Sequence, residues 1–192
     1  MTFQYEWGDE LPRLEASRLY LRSLTAGDAP AIFSIFGDPE VMRYWSSPAL
    51  TDLKAAKRLI QDIQELFESR ELFQWGIARQ ETGEVLGTCT LFKLDWAHRR
   101  GEIGFAVGRS AWGLGLGAEA VDVLLRFCFE TLDLHRLEAD VDPDNERSLR
   151  LLERQGFRRE GYLRERWLHL GELRDTVMLG LLQREWPGLS QP

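Results

Sequence analysis

The stretch Ala111-Trp112-Gly113-Leu114-Gly115-Leu116-Gly117-Ala118-Glu119-Ala120 places glycine at three alternate positions just ahead of an amphipathic run. Glycine loses more backbone entropy on folding than any other residue, so three of them here need a reason. Upstream, residues 101–107 (GEIGFAV) predict a strand. Downstream, Val121, Leu124, Leu125 and Cys128 fall at i, i+3, i+4 and i+7, which predicts a helix from about Gly117. A glycine-rich turn leading into a helix N-terminus offers unpaired N–H groups to an anion, and the helix dipole adds attraction.

Outward from this centre the chain alternates between the two periodicities. Residues 18–22 (RLYLR) read as a strand. Asp28 with Pro30, and Asp38 with Pro39, read as starts of two short helices. Thr51 opens a longer helix with Ala56, Leu59, Ile60, Ile63, Leu66 and Phe67 on one face. Strands are expected over 73–79 and 84–94, with Glu81-Thr82-Gly83 as the hairpin turn. After the glycines come a strand over 135–141 and a helix capped by Asn145 and stopped by Gly156. A hairpin of 162–170 and 174–182 about Gly171 closes the chain. No repeat, linker or low-complexity tract interrupts this, so one mixed α/β domain is expected over 1–192, with its core at about 14–186.

The 192 residues suffice for one sizeable core, and 44% apolar with 29% charged residues predict a soluble globular protein. No segment approaches the roughly 18 uninterrupted apolar residues of a membrane span. The opening MTFQYEWGDELP lacks the basic-then-apolar pattern of a signal peptide. Cys89 and Cys128 both lie in apolar stretches without a basic neighbour, so buried free thiols and a cytoplasmic location are expected. His98, His135 and His169 show no metal-ligand spacing, and no metal is expected.

A net charge of −7 argues against general nucleic-acid binding. The charge is uneven. Residues 145–166 hold seven arginines against four glutamates, a local +3 that leaves −10 elsewhere. Such a segment is either a solvated helix face or a phosphate site in an otherwise acidic protein.

Gly113-x-Gly115-x-x-Ala118 formally fits the dinucleotide fingerprint. That fingerprint belongs at the first strand of a doubly wound sheet, whereas about 100 residues precede it here and only one strand–helix unit follows before the final hairpin. The lysine and serine or threonine of a triphosphate P-loop are also missing. A tight turn without ligand is the remaining plain alternative.

The segments EIGFAVGRSAWGLGLGAEA (102–120) and NERSLRLLERQGFRREG (145–161), with RLYLRSLTAGDA (18–29) and LHLGELRDTVMLGL (169–182), resemble the GNAT superfamily of acyl-CoA-dependent N-acyltransferases, and within it the RimJ/RimL-like group. The resemblance covers nearly the whole chain. It implies a mixed, mostly antiparallel seven-stranded sheet with flanking helices and a splayed central parallel strand pair. It also implies acetyl-CoA as co-substrate.

Carried over residue by residue, it implies that amides of Gly113, Leu114, Gly115, Leu116, Gly117 and Ala118 bind the CoA pyrophosphate. Trp112 stands where the general pattern has glutamine or arginine, although tryptophan followed by glycine is usual in the RimJ/RimL group. Pantetheine would lie in the gap beside Phe105 and Val107. Asn145 would reach the pantetheine arm, Ser148 the thioester sulfur, and Arg150 and Arg154 the 3′-phosphate ADP end.

The resemblance further implies direct attack of a neutral amine on the thioester. The Phe105 N–H would stabilise the tetrahedral oxyanion. Glu102, at the head of the splayed strand, is the candidate base, or else a strand-end carboxylate; Ser148 is the candidate thiolate donor, or else a serine satisfying its own helix. The glutamate expected on the strand after the N-x-x-S helix falls at Trp167, with Glu165 nearby. Phe36, Tyr44, Trp45, Trp96 and Trp167 are either acceptor-pocket or core aromatics. The acceptor is a protein N-terminus or a small amine (amino acid, polyamine or antibiotic). A non-catalytic acyl-CoA-binding module is the alternative of another class. Neither nucleic acid nor membrane is an expected partner, and the chain is expected to be a monomer or homodimer.

Overall fold

The computed structural model describes residues 5–188, so the reading of the first four residues as no leader lies outside the described residues. The strands are β1 (Leu14–Glu15), β2 (Leu19–Arg22), β3 (Leu72–Arg79), β4 (Val85–Asp95), β5 (Arg100–Val107), β6 (Arg136–Val141), β7 (Arg158–His169) and β8 (Glu172–Leu182). The helices are α1 (Ala29–Phe36), α2 (Pro39–Met42), α3 (Leu53–Glu68), α4 (Leu116–Arg126) and α5 (Glu146–Arg154). The strands form one sheet in the order β1-β2-β3-β4-β5-β6-β8-β7, antiparallel except for β5–β6.

Among the described residues the sheet has eight strands, not the expected seven. The extra one is β1, whose Leu14 and Glu15 pair with Leu21 and Tyr20. Two residues are too few for an alternating pattern to show. The β7 strand also begins at Arg158 rather than Tyr162. It is the sheet edge and is exposed along almost its whole length, so no buried face marks its start.

Local chemistry accounts for the helix boundaries. Asp52 caps α3 by accepting from the Ala55 N–H, and Asn145 caps α5 by accepting from the Ser148 N–H at 3.2 Å. Gly156, at φ +98°, ends α5 where a side chain would be strained.

Two apolar clusters hold the layers. One joins α4 and α5 to β2–β6 and β8 and contains the fully buried Trp75, whose indole N–H donates to the Pro12 carbonyl at 2.9 Å. The other packs α1, α2 and α3 against Val85 and Ala106. Cys89 and Cys128 are free and fully buried in the first cluster, and burial pushes both thiols far above their ordinary pKa.

The two edges of β5 differ. Against β4 it is paired from Val107↔Gly87 to Glu102↔Phe92, then through a register shift to Arg100↔Asp95. Lys93 lies within that shift at φ +49°. Against β6 it is paired only at Arg100↔Arg136, Gly101↔Leu137 and Glu102↔Glu138. Beyond Glu102 the parallel strands part, as the sequence resemblance implied.

Candidate active site

The gap between β5 and β6 exposes defined backbone groups. The Gly108 N–H donates to the Leu86 carbonyl at 2.8 Å, so Gly108 faces β4. In an antiparallel ladder the facing alternates, which turns Ala106 toward β4 and Phe105 and Val107 toward the gap. The Val107 carbonyl accepts from the Trp112 indole N–H at 2.6 Å. Of the two groups Val107 turns to the gap, its carbonyl is therefore already engaged, whereas Phe105 sits on the open edge.

Just past the end of β5 the glycine loop turns into α4. Gly113 and Gly115 have φ of +75° and +76°, a region that only glycine enters cheaply, and Gly115 is the N-cap residue of α4. Gly117 answers a different demand. A Cβ there would lie 3.1 Å from Val107 and 3.4 Å from Leu151, so its missing side chain lets α4 approach β5 and α5. Two glycines set conformation and one sets packing. Arg147, on α5, stacks over the Trp112 ring at 4.6 Å.

On the other side of the gap lies a cleft of about 350 Å³. Phe105 and Ile103 line it from β5, Val141 and Asp142 from β6, and Asn145 and Ser148 from the start of α5. Glu102 lines it too, and shares its sheet face with Thr90 and Gln74, because Gln74 pairs with Thr90 and Thr90 with Gly104. Both Glu102 oxygens accept from the Lys93 ammonium, at 3.0 and 2.9 Å, which links the β4 bulge to the cleft. Asn145 and Ser148 are brought together with Glu102 and Phe105 in one cavity.

The arginines of α5 separate. Arg150 pairs with Glu146 and lines a shallower cleft with Pro143, Leu149 and Arg159. Arg147, not singled out by the sequence, is the α5 cation beside Trp112 at the start of the glycine loop. Arg154 follows it at i+7, on the same helical face. Gln155 extends that side by donating to the Ala118 carbonyl at 3.0 Å.

Of the candidate aromatics, Tyr44, Trp45 and Trp167 line the cleft. Phe36 is buried behind Trp45 in the second core cluster, and Trp96 packs against the first cluster. Sequence reading also passed over Asp175, which lines the cleft from β8. It accepts from the Tyr162 hydroxyl and from the Glu165 N–H, and these bonds lower its pKa below the ordinary carboxylate value. A side-chain carboxylate from β8 thus lies near the place where β7 carries Trp167. His169 is a further cleft residue, buried, with a ring Nδ1 that has no hydrogen-bond partner among the described residues. Among the described residues, no group of three or more His, Cys, Asp and Glu side chains is placed to hold a metal ion.

Comparison with known proteins agrees with this architecture. The family model of the Acetyltransferase (GNAT) domain matches residues 18–158. An uncharacterized N-acetyltransferase, p20 of Bacillus licheniformis, is 38% identical over 91% of this chain and 98% of its own length. The [ribosomal protein uS5]-alanine N-acetyltransferase of Escherichia coli (strain K12) is 30% identical over 66% of each chain. The fold is shared with spermidine N-acetyltransferase from Vibrio cholerae, solved in complex with CoA and spermine, at a TM-score of 0.77 and 22% identity over 88% of this chain and 98% of that one. The chain belongs to the GNAT family and is an acetyl-CoA-dependent N-acetyltransferase.

Proposed function

We propose that the chain, acting as one acyltransferase domain, transfers acetyl from acetyl-CoA to the α-amine of a polypeptide N-terminus. The observation that carries this reading is the opening of β5 from β6 beside a cleft lined by four carboxylates, Glu102, Asp140, Asp142 and Asp175, against three cations, Arg43, Lys93 and Arg174. Backbone edge and glycine loop suit the donor; the carboxylates suit an amine that arrives as a cation.

Within this reading, the amides of 113–118 hold the pyrophosphate and pantetheine runs along the open edge of β5. Asn145 meets the pantetheine arm, while Arg147 and Arg154 meet the phosphates, with Arg150 further out. The Phe105 N–H steadies the oxyanion, and Ser148 supplies a proton to the departing thiolate. Glu102 receives the amine proton, directly or through water. Its oxygens are already engaged by Lys93, so an amine that deprotonates easily suits it best. An α-amine, with a pKa of about 7.7–8.0, is nearer to that condition than a lysine-type amine at about 10.4. The likeness to a ribosomal-protein alanine acetyltransferase supports the same choice.

The test is CoA thiol release with a panel of peptides, polyamines and amino acids, followed by mass spectrometry of the products. Acetylation confined to the α-amine of peptides is expected. Faster turnover of a polyamine or free amino acid would overturn the polypeptide acceptor, and no release with any amine would overturn catalysis in favour of acyl-CoA binding alone.

A further inference from the structure

Arg18 lies in the turn between β1 and β2, remote in sequence from the glycine loop, yet its side chain closes on that loop. Its Nη1 donates to the Leu114 carbonyl at 2.9 Å and its Nε to Glu119 Oε2 at 2.7 Å. Its own backbone is fixed on both sides, the N–H donating to Glu119 Oε1 at 2.7 Å and the carbonyl accepting from the Gln80 N–H at 3.0 Å. A Cβ on Gly115 would come within 3.4 Å of Arg18 Nη2, so the guanidinium lies close against that glycine.

Two consequences follow from elementary geometry and charge. In a trans peptide the C=O of one residue and the N–H of the next point in opposite directions. Drawing the Leu114 carbonyl toward Arg18 therefore aims the Gly115 N–H away from Arg18. Leu114 sits between two left-handed glycines, where the backbone has the most freedom to turn. The second consequence concerns Glu119, in the first turn of α4 and only 17% exposed. Unpaired, its charge would offset the roughly half positive charge of the helix N-terminus. Arg18 neutralises it.

We infer that Arg18, with Glu119, is a latch that presets the glycine loop for the diphosphate of the acyl donor, Arg18 being a positioning residue that acts through Leu114 and Glu119. This rests on the reading that the 113–118 amides bind the pyrophosphate. Turnover with S-acetylpantetheine, which has no diphosphate, gives a readout that a general loss of structure would not spare.

CoA affinity is measured by calorimetry for Arg18→Ala, Arg18→Lys, Arg18→Ala/Glu119→Gln and Gly115→Val, with thermal melting as the check of folding. Arg18→Ala is expected to weaken CoA by about tenfold, equivalent to about 1.4 kcal/mol, while kcat/KM for S-acetylpantetheine stays within about twofold. Adding Glu119→Gln recovers about threefold, because the carboxylate left unpaired beside the phosphates is removed. Should Arg18→Ala fail to fold, Arg18→Lys carries the test: it keeps the charge but not the fork that spans Leu114 and Glu119, and about a threefold loss on CoA alone is expected. Loss of CoA binding in Gly115→Val with none in the Arg18 variants would overturn the latch and leave the loop reading intact. Unchanged affinity in every variant would overturn the loop reading itself. Equal losses on both acyl donors would make Arg18 merely structural.

Discussion

The two edges of β5 belong to one strand and end in opposite fates. Toward β4 its backbone groups are spent in a ladder that runs to Val107. Toward β6 the ladder stops at Glu102, and Phe105 turns its N–H to an unpaired edge. A buried sheet rarely leaves backbone donors unused, because an unmade hydrogen bond there costs about 1–3 kcal/mol. In the proposed reading the open edge is where the acyl donor completes the sheet, and the closed edge is what holds the strand still while it does.

Proline gives the sharpest way to break this comparison, since it removes an N–H wherever it is placed. Phe105→Pro takes a donor from the open edge; we expect a folded protein whose kcat falls by about 10²–10³. Ala106→Pro, one residue on, takes a ladder donor facing β4 and should instead lower the melting temperature sharply. Turnover and circular-dichroism melting of the two variants separate the edges. Equal loss of fold in both would show that the open edge is structural.

Next in size is Glu102→Gln, at the point where the edges divide. As the proton acceptor it should lose kcat by about 10² while CoA affinity is nearly unchanged, and the loss should shrink at higher pH as the amine deprotonates unaided. An accompanying loss of CoA binding would assign Glu102 to the Lys93 bulge rather than to chemistry. A smaller effect is expected on the phosphate side. Arg147→Ala should weaken CoA about three- to tenfold, with less effect at high salt and on dephospho-CoA. If Arg150→Ala matches it, the phosphate lies on the outer face of α5.

The smallest effect on activity belongs to the closed half of the sheet. Asp28 is partly buried; burial raises its pKa, but hydrogen bonds from Arg22 and Thr25 outweigh this and hold it below the ordinary carboxylate value. A carboxylate with a depressed folded pKa stabilises above its unfolded value and loses that stabilisation as pH falls through the folded one. Asp28→Asn should therefore cost about 1–2 kcal/mol at pH 7 and progressively less below about pH 4, without altering kcat. Denaturant melts at the two pH values check this, and a constant difference would deny the ion pair its role.

What the sequence disclosed is what is local. The glycines, the Asn145 cap and the helix stop at Gly156 each depend on a few adjacent residues, and they were legible. Even the splayed pair was reached through resemblance to a family, not through periodicity. The bulge at Lys93 leaves no mark in a run that is apolar on both sides. Asp175 enters the cleft because β8 returns beside β6, a pairing between residues remote in sequence, and His169 enters it from the end of β7, which β8 carries at the sheet edge. Arg147 rather than Arg150 meets the loop because of the rotation of α5 about its axis, which seven arginines in a row of helix and strand do not reveal. Packing explains why Phe36 is core and Trp96 leans against it: aromatic residues bury wherever they fit.

Cys89 pairs across the ladder with Phe105, so a thiol lies one strand away from the place proposed for a thioester. Thiol–thioester exchange needs a thiolate, and burial pushes the pKa of this thiol well above its ordinary value. The same core that supports the strand thus shields this thiol from acylation. Acetyl-CoA incubated with the folded protein and no amine should leave the mass of the chain unchanged, and a thiol reagent should find Cys89 and Cys128 only after unfolding.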